Sequence, residues 1–304
     1  MPAHWTLRQL KIVALAARSG SYAKAAQDMG LSPPAVTAQM KQLEADLGLP
    51  LFERRDGRLR PTAAGRELVV AYGRVELALA EAERSIEAIR RPGEGSVVVG
   101  VVSTAKYFAP MALAAFRARQ PRIELKLVVG NREDIIAGLE SLELDLAVMG
   151  RPPAALEAET LVIGAHPHLI IAPPGHRLAA RRLKPAHLSR EPFLMREEGS
   201  GTRMLMARLF EEHAAAHPPR AMEIGSNETI KQAVMAGLGL AFLSAHTVAA
   251  ELADGRLVAL DVDGLPIVRQ WLCVRAKEKR LMPAALALME FLAREGGAFL
   301  PKVP

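Results

Sequence analysis

The chain has 304 residues, half of them apolar, a net charge of +6 and one cysteine, Cys273. Such a length holds two or three cored domains, the positive balance suits a polyanionic partner, and one cysteine excludes an intrachain disulfide framework and fits a reducing compartment. No apolar run reaches membrane-spanning length and residues 1–8 carry no apolar stretch of signal-peptide size, so the protein is expected to be soluble and cytoplasmic, with no membrane partner.

Residues 21–44 read SYAKAAQDMGLSPPAVTAQMKQLE, the pattern of two short helices joined by a tight turn. Ala23, Ala25, Ala26 and Met29 are expected to form the inner face of the first helix. Gly30 permits the left-handed backbone that stops it, Leu31 plugs the corner and Ser32 is a natural N-cap. Pro33 and Pro34 fall where a first helical turn has amides to spare. Val36, Met40 and Leu43 point inward on the second helix, leaving Thr37, Gln39, Lys41 and Gln42 outside. Hydroxyl, amide and ammonium groups on an outward helix suit the base edges and phosphates of double-stranded DNA. A helical hairpin in an unrelated core is the competing reading, and two neighbouring features weigh against it. Leu51-Phe52-Glu53-Arg54-Arg55 leads through Asp56-Gly57 into Arg58-Leu59-Arg60, as in a two-stranded wing whose Arg54, Arg55 and Arg58 reach the DNA backbone. Then Leu68, Tyr72, Val75, Leu79, Ala82, Ile86 and Ile89 alternate spacings of four and three, an a/d seam that calls for a partner helix.

Arg91-Pro92-Gly93-Glu94-Gly95 reads as a hinge. After it come a β-branched strand at 96–102, a helix at 106–119, a strand at 123–129, a helix at 132–142 and a strand at 144–149. Further strands are expected at 161–163, 168–172, 193–196, 222–224, 240–243, 257–262 and 267–274. Helices are expected at 203–217, stopped by Pro218-Pro219, at 228–236 and at 283–294. The alternation argues for a doubly wound α/β part of two lobes with a cleft between them. Cys273 reads as a buried strand residue.

Three strand-to-helix junctions carry polar residues at helix starts: Ser103-Thr104-Ala105-Lys106, Gly199-Ser200-Gly201-Thr202-Arg203 and Ser226-Asn227-Glu228-Thr229. Helix-start amides and hydroxyls at the carboxyl ends of strands favour an anion, and Lys106, Arg151 and Arg203 add fixed charge. Ordinary helix capping is the competing account. Catalytic patterns are weak. His213 and His217 have a metal-compatible spacing but no third ligand. His166-Pro167-His168 is expected to send its rings to opposite faces of a strand. Gly199-Ser200-Gly201 lacks the Gly-Lys-Ser/Thr ending of a phosphate loop, and no nucleophile set can be placed.

The set Ala25-Ala26, Leu31-Ser32, Pro34-Ala35-Val36-Thr37, Gln39, Leu43-Glu44, Leu47-Gly48 and Leu51-Phe52-Glu53-Arg54 resembles the LysR-type transcriptional regulators. The resemblance covers essentially the whole chain. It implies an α/β fold with an all-α N-terminal part: a winged helix-turn-helix at 1–66, a linker and dimerisation helix at 67–91, and a two-lobed, periplasmic-binding-protein-like effector domain at 92–304. Pro33 departs from the family pattern, where glutamine is frequent, so one polar DNA contact is in doubt. STAKYFAP (103–110), GNRE (130–133), MGRPP (149–153), AHPH (165–168), GSGTR (199–203) and GSNETIKQAVMAGLG (225–239) resemble a narrower branch, the regulators of Calvin-cycle carbon-fixation operons. The resemblance implies no enzyme activity, no covalent cofactor and no metal. It implies promoter DNA as a partner, with contacts from Ser32, Pro33, Thr37, Gln39, Lys41, Gln42, Arg54, Arg55 and Arg58, and self-association into a dimer and then a homotetramer. It also implies a small anionic effector, a phosphorylated metabolite or NADPH, held by Ser103, Thr104, Lys106, Asn131, Arg151, Thr202, Arg203, Asn227 and Glu228. The rival readings are a regulator of aromatic, amino-acid or sulfur metabolism, an α/β enzyme with a DNA-binding appendage, and an exported solute receptor.

Overall fold

A computed structural model describes residues 5–55, 57–91, 94–212 and 221–303, which divide into two units, Met1–Arg84 and Ser85–Pro304. The first begins with α1 (Leu7–Ser19), whose Thr6 cap and Gln9 exchange reciprocal bonds, Gln9 N–H to the Thr6 hydroxyl at 3.2 Å and Thr6 N–H to the Gln9 side chain at 2.9 Å. Ser21 caps α2 (Tyr22–Met29), and Gly30 at φ +64° ends it. Ser32 caps α3 (Pro33–Leu47). Ile12, Val13, Ala16, Ala25, Ala26, Val36, Met40 and Leu43 form the buried centre. Ala23 was expected in that centre and is exposed instead, because the helical period sets it off the face shared by Ala25, Ala26 and Met29.

The wing is an antiparallel pair, β1 (Phe52–Arg55) and β2 (Arg58–Pro61), with Gly57 at φ +74° in its turn. Asp56, the other turn residue, lies outside the described residues. One helix, α4 (Ala63–Arg90), follows. Leu68 and Tyr72, expected on the seam toward a partner, are buried in the chain's own core, whereas Leu79, Ala82 and Ile86 are exposed; the side chain of Ile89 lies outside the description.

In the second unit, β3 (Gly95–Val102), β4 (Ile123–Gly130) and β5 (Leu146–Met149) form a parallel sheet in the order β4-β3-β5. α5 (Ala109–Arg119) and α6 (Arg132–Glu140) supply the crossovers. The helix expected at 106–119 is a 3-10 turn (Ala105–Tyr107) followed by α5, with Pro110 in its first turn. The two strands expected at 161–163 and 168–172 are one, β6 (Ala158–Ala172), which leaves this lobe and enters the next. There β7 (Phe193–Met195), β8 (Ala221–Glu223) and β9 (Leu240–Ser244) run parallel, flanked by α7 (Gly201–Glu212) and α8 (Asn227–Met235). A helix not anticipated, α9 (Ala249–Ala253), precedes β10 (Val258–Ala259), which pairs with β6. The chain returns along β11 (Ile267–Ala276), antiparallel to β6 over its whole length with a bulge at Trp271/Leu272, and ends with α10 (Pro283–Glu295) packed on the first lobe. The second lobe's sheet is buried on both faces, with Leu240 and Phe242 in one apolar layer and Ala241 and Leu243 in the other.

Candidate DNA-binding face and effector cleft

With Val36, Met40 and Leu43 inward, α3 presents Ser32, Pro33, Ala38, Lys41 and Gln42 to solvent, with Thr37 and Gln39 half-buried on its flanks. The Thr37 hydroxyl donates to Pro33 O at 2.9 Å and keeps its lone pairs free to accept, and Gln42 Nε2 donates to Asp46 Oδ1 at 2.8 Å. The ladder register splits the three wing arginines. Arg55 lies directly opposite Arg58, and Glu53 opposite Arg60, on one face; Arg54 pairs with Leu59 on the other, the face that buries Phe52. Phe52 meets the Tyr22 ring edge-on at 5.5 Å. Burial and the Glu44 carboxylate push the Tyr22 hydroxyl up to about 12, against the opposing pull of Arg54. Like charges directly opposed across a ladder repel, so the Arg55–Arg58 pair is best satisfied by an anion. The same face closes a concavity of about 510 Å³ lined by Arg18, Arg55, Arg58, Arg60 and Arg66, with Glu53 the one acid in its wall among the described residues. Arg18, Arg60 and Arg66 were not among the expected contacts; only the register and the end of α1 bring them to that face.

In the second unit the polar residues gather at the carboxyl ends of the parallel strands, between the lobes. The first lobe supplies Ser103, whose N–H donates to Gly130 O at 2.8 Å, Thr104, which is buried, then Lys106 and Tyr107, and Asn131 to Glu133 after β4. The second supplies Arg196, Ser200, Thr202, Asn227, Glu228 and Lys231. The lobes touch where Gly199, at φ +77°, faces Glu133: a Cβ there would stand 2.6 Å from Glu133 Oε2. Across the cleft the Tyr107 hydroxyl donates to Glu228, whose carboxylate also lies 3.7 Å from Lys106 Nζ and 3.1 Å from Lys231 Nζ. Lys231 is buried and also pairs with Glu251 at 3.0 Å. Burial opposes the charge on Glu228 and is outweighed by Tyr107, Lys231 and Lys106, which together hold its carboxyl below the usual range.

Capping accounts for two positions. Ser226 accepts from Thr229 N–H at 3.3 Å, and Asn131 from Asp134 N–H at 3.0 Å. It does not account for Thr104, which makes no side-chain cap bond. The Asn227 amide uses its oxygen to accept from Arg196, while Asn227 Nδ2 and Thr247 Oγ1 are buried without a hydrogen-bond partner among the described residues. Arg203 is not turned to this cluster: its guanidinium donates to Glu223 and to Arg196 O. Arg151 is exposed, and its carbonyl accepts from Arg132 at 3.1 Å. The buried guanidinium beside Asn227 belongs instead to Arg196, held to Glu197 at 2.6 Å. Arg196, Tyr107, Lys231 and Thr247 were not among the expected site residues because most of the contacts that define them are tertiary; Tyr107, inside STAKYFAP beside Lys106, and Lys231, inside GSNETIKQAVMAGLG three residues after Glu228, carried a signal.

His166 and His168 correct a second expectation. Both rings lie on one face, centroids 4.1 Å apart, as the two-residue period of a strand requires. His166 stacks on Trp271 at 3.6 Å, and Trp271 Nε1 donates to His246 Nδ1 at 3.0 Å. Cys273 is buried in β11, and burial pushes its thiol up to about 12. His213 and His217 lie outside the described residues. Among those described, no cluster of His, Cys, Asp and Glu could hold a metal, and no helix is long and apolar enough to cross a membrane.

Residues 7–66 match the family described as "Bacterial regulatory helix-turn-helix protein, lysR family", and residues 90–297 match "LysR substrate binding domain". The chain belongs to the LysR family of transcriptional regulators. Its curated relatives include the HTH-type transcriptional regulator CbbR of Xanthobacter flavus, 71% identical over 100% of this chain and 92% of that protein. They also include the RuBisCO operon transcriptional regulator of Allochromatium vinosum, 44% identical over 96% of this chain and 97% of that protein. Among solved structures, the regulatory domain of CcmR from Synechocystis PCC6803, in complex with 2-PG, is 36% identical over 65% of this chain and 95% of that one, with a TM-score of 0.62. Full-length CbnR complexed with target DNA, 24% identical, superposes with a TM-score of 0.69 over 95% of this chain and 99% of that one, and shows the shared fold. As a LysR-type regulator the chain binds DNA through its helix-turn-helix part, answers small effectors through its α/β part, associates with itself, and is not an enzyme.

Proposed function

We propose that this LysR-type regulator controls carbon-fixation genes, those of the Calvin cycle and RuBisCO, from the cytoplasm, in response to a small phosphorylated anion bound between the two lobes. The relatives' names support the circuit, and the 2-PG complex of a 36% identical regulatory domain supports the ligand class. The observation that carries the reading is the cleft itself: Lys106 and Lys231 flank Glu228, and beside it Arg196 holds Asn227, whose buried Nδ2 has no partner among the described residues. Leaving a buried donor without an acceptor costs about 1–3 kcal/mol, which an incoming ligand oxygen relieves. Ser103, Thr104, Asn131 and Thr202 complete the lining, and Arg203 and Arg151 act through their neighbours.

On the DNA side, Lys41, Gln42 and Ser32 contact the major groove and its phosphates, and the wing face of Arg55 and Arg58, joined by Arg18, Arg60 and Arg66, holds a backbone phosphate. Residues 67–91 link the halves and pair two chains through Leu79, Ala82 and Ile86, and dimers pair again into a tetramer. The effector acts by favouring one lobe arrangement over the other, which requires different affinities for the two.

Calorimetric titration of the purified protein with 2-phosphoglycolate, ribulose 1,5-bisphosphate, phosphoenolpyruvate and NADPH tests the proposal, with inorganic phosphate as control. Saturable binding of one organic phosphate, lost in Thr202→Ala, is the expected result. Silence across the panel, from protein that binds DNA, removes the carbon-fixation effector.

A further inference from the structure

The cations that make the cleft attractive to an anion are already engaged. Lys106 and Tyr107 stand on the first lobe, Glu228 and Lys231 on the second, and one carboxylate joins all of them. Both ammonium groups flank the Tyr107 ring, Lys231 Nζ at 4.9 Å and Lys106 Nζ at 5.2 Å from its centroid. Glu228 occupies the first turn of α8, where the helix end favours negative charge. An acid in a cleft built for an acid calls for an explanation, and the pairing supplies one. Lys231, which is buried, is matched twice, by Glu228 and by Glu251. Withdrawing Glu228 therefore leaves no buried charge alone, the step that makes breaking most interior ion pairs so costly. The Glu228 side chain is itself 48% exposed, so it reaches water with a change of rotamer. Next to it, Asn227 Nδ2 is a buried donor with no acceptor among the described residues, ready for an oxygen that Glu228 does not provide.

We propose that the Glu228 carboxylate is a built-in stand-in for the effector's anionic head: in the free protein it fills the subsite of Lys106, Tyr107 and Lys231 and straps the lobes together, and a phosphate- or carboxylate-bearing ligand displaces it. This rests on the effector reading above and assigns the place where the anionic head of that effector sits. The subsite then selects ligands whose head outcompetes a tethered carboxylate, which favours a phosphate dianion over a single carboxylate.

The test is calorimetry of the full-length protein with 2-phosphoglycolate, with hydrogen exchange of the free protein beside it. Glu228→Gln is expected to bind about tenfold more tightly than the wild type, a gain of about 1.4 kcal/mol. Its amides at 105–108 should exchange faster, because the strap is gone. Lys106→Met should bind about tenfold more weakly. Glu290→Gln, which removes the same charge from the exposed face of α10 outside the cleft, should stay within about twofold of wild type. Equal or weaker binding by Glu228→Gln, an equal gain in Glu290→Gln, or unchanged exchange at 105–108 overturns the displacement while leaving the effector site standing. If neither wild type nor Glu228→Gln binds the probe, the effector reading falls and the displacement with it.

Discussion

Lys41 stands on the exposed face of α3, one helical turn on from Thr37 and opposite the buried Val36, Met40 and Leu43. An ammonium placed there contacts a phosphate as a point charge. Each such contact releases counterions and steepens the salt dependence of binding, with a slope of about −0.9 per phosphate in log–log form. Lys41→Ala is therefore expected to weaken binding to all DNA sequences and to flatten the slope by about one, read from affinities at several salt concentrations; an unchanged slope would take Lys41 off the backbone. Glu44, three residues on, has a different task. Its Oε1 accepts from Leu51 N–H at 2.7 Å and Phe52 N–H at 3.4 Å, fixing the first strand of the wing to the end of α3. Glu44→Ala should cost about 1.5 kcal/mol in chemical denaturation, the lower end for charge-assisted bonds because the side chain retains contact with water. A variant as stable as wild type would show that the wing needs no such tether. Residues of these two kinds differ in how far they can be read from the chain. Ser32 and Gly30 act on their own helix ends and were legible. Glu44 acts across a turn and Tyr107 across a cleft, so no local spacing announces them, whereas Lys231 pairs with Glu228 at i+3 on α8, a spacing that was readable.

At the scale of elements, the strands of the first lobe and the helix-turn-helix were legible because their apolar periods are uninterrupted. The central strand β6 was not. Gly164 and Pro167 punctuate it like a turn, yet Pro167 lies before the stretch where β9 joins β6, so the missing N–H falls at an edge of the ladder. The pairing of His166 and His168 was readable in principle, since residues two apart on a strand share a face; the expectation of opposite faces misapplied that period. The helix α4 shows the same mixture. Its seam was visible, but its first members, Leu68 and Tyr72, serve the chain's own core, and only the later ones remain for a partner. Leu79 and Ile86 are 51% and 53% exposed. Replacing both by lysine should leave the helical signal in circular dichroism intact, because neither is buried in its own chain, while sedimentation reports a smaller assembly. An unchanged mass would place the self-association elsewhere.

Across the second unit, the lobes are held by β6 and β11, and the histidines sit where those strands meet β9 and the turn after it. His166, His168 and His246 are all buried there, with Trp271 stacked on His166 and donating its N–H to His246. Burial is the main reason each ring resists protonation. It holds His166 well below its ordinary range and lowers His168 and His246 to about 4, with mutual repulsion of the rings adding to it at His166 and His168. The Trp271 N–H donates to His246 Nδ1, which fits a neutral ring. In the unfolded chain the same rings titrate near 6.5. Above that value both states are neutral and the histidines do not alter stability with pH. As the pH falls below it, the unfolded chain takes up protons that the folded one refuses, so stability drops by as much as about 1.4 kcal/mol per pH unit for each histidine until the folded rings titrate. Most carboxylates are still charged between pH 6.5 and 5, so this window isolates the histidines. The denaturation free energy of the full chain is expected to fall steeply across it, and His168→Phe, whose ring would pack on Phe242 as the imidazole does, should reduce the slope by about one proton's worth. A flat profile in that window would mean that the rings are accessible to protons in the folded protein, and that the strand crossing opens readily enough to hydrate them.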